Sequence, residues 1–273
     1  VRRKTLSVVI PTYNAERFIA RCLDALTWAD EVIVVDMFST DRTPEICRRY
    51  PNVKFVQRDE KIIYANVNYG FDLAQGDWVM RLDSDEIVTP ELAREIQEKI
   101  LAKDEDENDG YVLPSRLHCF GRWIKHCGIN DPRRLRTGYT YRLHIFKRGL
   151  CRYSLTHQHE DIDVPGKKGW LTHPYDHYSI DSISQWIAKT NYYTDRDAEA
   201  ADLSQVHINW RTILKVATSP LVGFFRLYVL RQGYQDGIWG LILCLLGANY
   251  YMIQELKKWE RKLKETTERS VSQ

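Results

Sequence analysis

Three carboxylates crowd the stretch Arg-Leu-Asp-Ser-Asp-Glu at residues 81–86. Asp83, Asp85 and Glu86 follow directly on the apolar run Trp78-Val79-Met80. Like charges this close repel unless a cation or solvent holds them. Mg2+ or Mn2+ is bound by one or two carboxylates and completes its shell with phosphate oxygens and water. Asp-x-Asp just past a strand therefore suits a metal shared with a diphosphate; solvation at a strand end is the plainer alternative. An EF-hand loop is excluded, because its fifth and sixth positions would be Ile87 and Val88 rather than Asp or Asn and Gly.

Polar residues collect at two further places, Pro11-Thr12-Tyr13-Asn14 and Asp36-Met37-Phe38-Ser39. Each group alone is compatible with ordinary turn chemistry. Three groups at three neighbouring strand ends point instead to a ligand, since open α/β sheets bind ligands outside the carboxyl ends of their strands. The chain has no GxGxxG and no GxxxxGK[ST] loop, so a nucleotide needs another means, such as a divalent cation, to hold its diphosphate. Downstream, His157, His159, Glu160 and Asp161 form one polar cluster and His173 and His177 another.

The elements that must position these groups follow from periodicity. Residues 6–10, 31–36, 53–57 and 77–82 read as strands, the first two as short buried β-branched runs. Residues 15–29 and 61–74 read as helices, and Thr43-Pro44 and Thr89-Pro90 mark two more, each with Thr as N-cap and Pro in the first turn. Strand and helix alternate to about residue 102, the pattern of a parallel sheet covered on both faces. An acidic connector follows, then short strands among loops, then helices from about residue 181. The expected division is 1–105 for the alternating half, 106–180 for the strand-and-loop half, and 181–273 for a helical extension.

The totals fit a globular chain: 273 residues, 44% hydrophobic, 28% charged, net charge +2. That charge excludes a generally basic nucleic-acid binder. Six cysteines without a CxxC pair suggest neither a zinc site nor a disulfide framework, and a reducing cytosol fits them. The first residues contain no apolar stretch suited to a secretory signal.

The order Val-Val-Ile-Pro-Thr-Tyr-Asn (8–14), Val-Val-Asp-Met-Phe-Ser-Thr-Asp-Arg-Thr (34–43) and residues 68–86 resembles glycosyltransferase family 2, with the GT-A fold. The resemblance implies a Rossmann-like α/β fold, its mostly parallel sheet flanked by helices, and inverting transfer from a nucleotide-diphosphate sugar, such as a UDP-sugar, with Mn2+ or Mg2+. By it, Pro11, Thr12 and Tyr13 line the base pocket and Asp36 contacts base or ribose. Asp83 closes the ribose–phosphate side, and Asn14, Ser39, Asn68 and Ser84 join the nucleotide contacts. Asp85 binds the metal with His177 as a second ligand, and Lys189 faces the diphosphate. Two departures stand out: Asp36-Met37-Phe38-Ser39 replaces the usual Asp-Asp-Gly-Ser, and Val67 replaces the Arg before Asn68. An inverting transfer needs a base to deprotonate the acceptor hydroxyl; Glu160 is the expected base and Asp161 the alternative.

Phe-Gly-Arg-Trp (120–123), residues 141–149, the His-Glu-Asp cluster and residues 231–240 resemble more narrowly the lipopolysaccharide-core members of that family. This implies a lipid-linked glycan acceptor. The uncharged run Gly237–Gln254, with Trp239, Leu241, Leu245 and Tyr250, lies among Arg226, Arg231, Lys257, Lys258, Arg261, Lys262 and Lys264. That mixture suits helices lying on the cytoplasmic face of a membrane, with core packing as the alternative. Two rivals remain at this level: a polyprenyl-phosphate sugar synthase, and an inactive nucleotide- or glycan-binding module.

Overall fold

The computed structural model describes residues 2–58, 60, 62–127, 138–155 and 162–271. The chain forms two compact units, residues 1–116 with 139–178, and residues 117–138 with 179–273.

The first unit is built on one sheet. Strands β1 (Leu6–Thr12), β2 (Glu31–Asp36), β3 (Val53–Gln57) and β4 (Trp78–Arg81) lie in the order β3-β2-β1-β4, and all their pairings are parallel. Helices α1 (Ile19–Asp24), α2 (Thr43–Cys47), α3 (Ile63–Leu73) and α4 (Pro90–Ile96) connect or follow them, as the alternation predicts. Two buried clusters show that the sheet is covered on both faces. Val8, Ile10, Val32 and Val34 pack with Ile19 and Leu23 in one, and Val9, Ile33 and Val35 with Val67 and Phe71 in the other. Each such buried aliphatic side chain contributes about 1.5–3 kcal/mol. Gly70 lets α3 approach the sheet, for a side chain there would meet Val9 at 2.3 Å.

Beyond β4 the sheet turns mixed. The order continues β4-β8-β6-β10-β5, with β5 (Glu86–Val88), β6 (Asn108–Cys119), β8 (Thr140–Lys147) and β10 (Tyr175–Ile180). β8 runs antiparallel to both β4 and β6, and β5 antiparallel to β10. β9 (Lys167–Trp170) lies parallel beside β6.

One expected cap is corrected. Thr89 caps α4, its hydroxyl accepting from Leu92 N at 3.2 Å. Thr43 does not cap α2: it is already helical, the cap position is Arg42, and the Thr43 hydroxyl accepts from Ala15 N at 2.8 Å. That bond ties the turn after β1 to α2.

The second unit holds the hairpin β7 (Arg122–Trp123), paired with His118 and Cys119, and helices α5 (Ile183–Ala200), α6 (Trp210–Phe224), α7 (Gly237–Ala248) and α8 (Tyr250–Val271). A capping box at Asn209 starts α6, and a π-helical segment, Phe225–Leu230, extends it. The core of this unit joins Ile124, Cys127, Ile180 and Trp186 to Leu243 and Cys244 of α7. Trp239 stacks on Phe120 at 5.0 Å. Carboxylate Asp236 accepts from three successive backbone N–H groups, those of Lys125, His126 and Cys127, at 2.7–3.0 Å.

Candidate active site

The carboxyl ends of β1, β2 and β4 lie side by side, because β1 pairs with both others in register: Thr12 opposite Asp36, Val9 opposite Arg81. Each strand end has its own hydrogen-bonded order.

At the end of β2, Asp36 is fully buried. Its carboxylate accepts from Ser39 N at 3.0 Å, Ser39 Oγ at 2.5 Å and Gln57 Nε2 at 3.0 Å. The turn that allows this passes through Phe38, whose φ is +56°. The left-handed region is costly for any residue but glycine, so Phe38 takes the backbone position for which the family pattern uses Gly. Its ring is 55% exposed. Asn14 at the end of β1 is also left-handed. Its N–H donates to Ser39 Oγ at 2.8 Å, and its side-chain oxygen accepts from Thr40 N at 2.8 Å. Pro11 and Thr12 are buried, Tyr13 is exposed, and Thr12 Oγ1 is buried with no hydrogen-bond partner among the described residues.

At the end of β4 the three carboxylates find three different partners. Asp83 pairs with Arg81 at 2.6 Å. Burial opposes the Arg81 charge, and Asp83 overrides it and keeps the guanidinium firmly protonated. Glu86 is buried and accepts from Asp83 N at 2.8 Å, while its own N–H donates to the Asp83 carbonyl at 3.0 Å. These two bonds close a tight turn with Ser84 and Asp85 at its tip. Burial, then the Asp83 charge, pushes the Glu86 carboxyl well above the ordinary carboxylate range. Asp85 faces His177 on β10, with 3.7 Å between carboxylate oxygen and Nε2. The β5–β10 pairing brings them together by setting His177 opposite Glu86. Burial works against charge on His177, but Asp85, then Glu86 and Asp83, outweigh it and raise its pKa.

Behind this turn lies a histidine that sequence reasoning missed. His144 is buried between the Arg81 carbonyl, 2.6 Å from Nδ1, and the Tyr175 hydroxyl, 2.7 Å from Nε2. A carbonyl only accepts, so Nδ1 carries the proton and Nε2 accepts from Tyr175. Burial, then the nearby Arg81 charge, pushes its pKa down to about 3, so it is a neutral strut. Its only signal in the sequence is a histidine set between Leu143 and Ile145 in the strand-like run 141–147.

Other expected residues have local commitments. Both amide atoms of Asn68 engage the Tyr153 backbone at 3.0 Å, so Asn68 anchors that segment to α3. His173 belongs to a different cluster: its N–H and Nδ1 face Glu95 at 2.9 and 3.0 Å, beside Thr172. In the second unit, Lys189 Nζ donates to the Ser179 carbonyl at 2.7 Å. Glu160 and Asp161, with His157 and His159, lie outside the described residues.

Among the described residues no three His, Cys, Asp or Glu side chains form a metal cluster. The facing pair Asp85 and His177 nevertheless fits a divalent cation. It offers a hard oxygen and an imidazole nitrogen, with side chains 25% and 30% exposed, which leaves room for phosphate oxygens to complete the shell.

Residues 7–149 match the profile of the glycosyl transferase family 2. The lipopolysaccharide core biosynthesis glycosyltransferase LpsC of Rhizobium meliloti is 26% identical over 263 residues, 94% of this chain and 92% of its own length. An uncharacterized glycosyltransferase of Rickettsia bellii is 27% identical over 90% of this chain and 83% of its own. Among solved structures, the mannosyltransferase PcManGT from Pyrobaculum calidifontis, in complex with GDP-Man and Mn2+, superposes with a TM-score of 0.51 at 16% identity, covering 89% of this chain and 86% of that one. This likeness identifies the fold as GT-A.

Proposed function

The chain belongs to glycosyl transferase family 2, and from that premise we propose that it moves a sugar, with inversion, from a UDP-sugar to a hydroxyl of a lipid-linked glycan of the lipopolysaccharide-core type. The observation that carries the proposal is the turn at the end of β4, where Asp85 and His177 face each other beside the ends of β1 and β2. The near full-length relation to LpsC supports the acceptor class.

In this reading Thr12 and Asp36 shape the nucleoside end of the site from beneath, both being buried. Arg81 orients Asp83 toward the ribose–phosphate side. Asp85 and His177 would hold Mn2+ or Mg2+, and a cation bound there would supply charge neutralisation for the diphosphate leaving group. Glu160 takes the proton of the acceptor hydroxyl as its oxygen bonds to the anomeric carbon and the carbon–oxygen bond to the diphosphate breaks. Asp161 is the alternative base. Donor and acceptor then meet on the cytoplasmic face of the membrane, where nucleotide sugars are made.

A thermal-shift screen of nucleotide sugars with and without Mn2+, followed by turnover on a lipid-linked core glycan, tests this. A Mn2+-dependent shift with one UDP-sugar and transfer to a glycan hydroxyl is the expected result. Transfer only to a polyprenyl phosphate, with Glu160→Gln still active, overturns the acceptor assignment.

A further inference from the structure

The second unit exposes an apolar stripe that its core does not use. Along α6 and its π-helical continuation, Trp210, Leu214, Ala217, Leu221 and Phe225 recur at steps of three and four, the spacing of one helix face. Trp210 is 69% exposed, Leu221 75% and Phe225 55%. The other side of α6 faces inward: Val216 is buried, and a side chain at Gly223 would meet the Ala248 backbone at 3.2 Å. Along one edge of the stripe run Arg211, Lys215 and Arg226, all exposed. From Leu203 to Gln235 the chain contains no Asp or Glu.

A contiguous apolar surface of this kind marks an interaction site. We infer that this face of α6 lies in the headgroup region of an anionic lipid bilayer, with the helix axis in the membrane plane. Charge selects the partner. A face with several cations and no anion finds no complement in a second copy of itself, whereas acidic lipid supplies one. The long basic stems can extend past the apolar stripe to lipid phosphates.

Packing selects the orientation. Trp210–Leu230 is 21 residues long and apolar enough to cross a membrane, about 31 Å as a helix. Yet α6 contacts both α7 and α8, and α8 carries Lys257, Lys258, Glu260, Arg261, Lys262 and Lys264. A spanning α6 would draw that charged neighbour toward hydrocarbon; an in-plane α6 leaves it in water. The α8 cations already have partners within the unit. Lys257 pairs with Asp195, Lys258 with Glu255 and Lys264 with Glu260, while Arg261 and Lys262 donate to the carbonyls of Ala198, Leu203 and Val206. Membrane contact thus falls to α6 rather than to the basic α8.

The inference does not rest on the acceptor assignment, because vesicles without glycan or donor test it separately. Full-length protein is sedimented with phosphatidylcholine vesicles that contain about 30% phosphatidylglycerol or none. Binding to the anionic vesicles should weaken at least about tenfold without the anionic lipid or at high salt, and by a similar factor in Leu221→Glu/Phe225→Glu. Leu263→Glu, on an exposed part of α8, should bind like wild type. Arg211→Glu/Lys215→Glu, which touches only exposed side chains, carries the same test should the apolar pair fail to fold. Undiminished binding by either folded double variant overturns the inference. So does a dimer in gel filtration that Leu221→Glu/Phe225→Glu splits, which would make a second copy the occupant. Extraction only by detergent overturns the in-plane orientation.

Discussion

Glu86 and Glu95 are buried glutamates in the same unit, nine positions apart, and their environments are opposite. Glu95 accepts from Thr172 N, Thr172 Oγ1, His173 N and Lys99 at 2.7–3.0 Å. Burial raises its pKa, but Lys99, then the His173 and Thr172 donors, more than compensate and bring it to about 2. Among the described residues Glu86 accepts only from Asp83 N, with the Asp83 charge beside it. The contrast extends to the surroundings. At the ends of β2 and β1 lie a left-handed Phe38 and a buried Thr12 hydroxyl without a partner among the described residues. Strain and unmet hydrogen bonds gather where a site must accept a ligand. In the proposed reading the ends of β1, β2 and β4 bind the donor, whereas the Glu95 cluster holds α4 to the segment before β10.

The comparison assigns proton transfer to neither glutamate, so the largest expected effect lies elsewhere. Glu160→Gln should lower kcat by about 10²–10⁴-fold with donor affinity nearly kept, measured by steady-state kinetics and donor titration. If only Asp161→Asn does this, the base is the next residue.

The next effect is on stability. Glu95→Gln should cost about 3 kcal/mol in urea unfolding at pH 7. Because folding depresses the Glu95 pKa, its contribution is complete above the unfolded value of 4.5 and is lost as pH falls through about 2. The gap between wild type and variant should therefore close over that window. A gap independent of pH would show that packing, not the carboxylate, holds the cluster.

Glu86→Gln should stay within about 1 kcal/mol of wild type, since an amide oxygen can still accept from Asp83 N and a poorly paired buried charge is removed. A loss as large as that of Glu95→Gln would erase the contrast. The smallest effect is expected at the strained turn. Phe38→Gly relieves about 1–2 kcal/mol of backbone strain and gives back about 0.4–1 kcal/mol through a looser unfolded chain. A net gain near 0.5 kcal/mol should appear in the same unfolding assay.

The parallel half of the fold was legible because β1 and β2 are short β-branched runs that lead into polar turns, and strands alternate with helices. The departure at Phe38 was visible in sequence but not its meaning, since only the backbone angle shows that Phe occupies the glycine position. The antiparallel half was opaque. β5 is three residues long, and what makes Glu86–Val88 a strand is a partner about 90 positions later. The same long-range pairing places His177 against Asp85, which only family likeness suggested. Composition gave Asn68, His144 and His173 no distinguishable roles, since all three are set by contacts far along the chain. In the helical unit the longest uncharged run drew attention to α7, whose inner side packs in a core; exposure, which sequence does not reveal, turns attention to α6.

The central claim is that the turn at the end of β4 binds the donor diphosphate through a divalent cation held by Asp85. Isothermal titration of UDP with and without Mn2+, on wild type and Asp85→Asn, tests it most directly. Wild-type affinity should rise at least about tenfold with Mn2+, a gain of about 1.4 kcal/mol, and folded Asp85→Asn should show no gain. An equal Mn2+-linked gain in the variant would contradict the account.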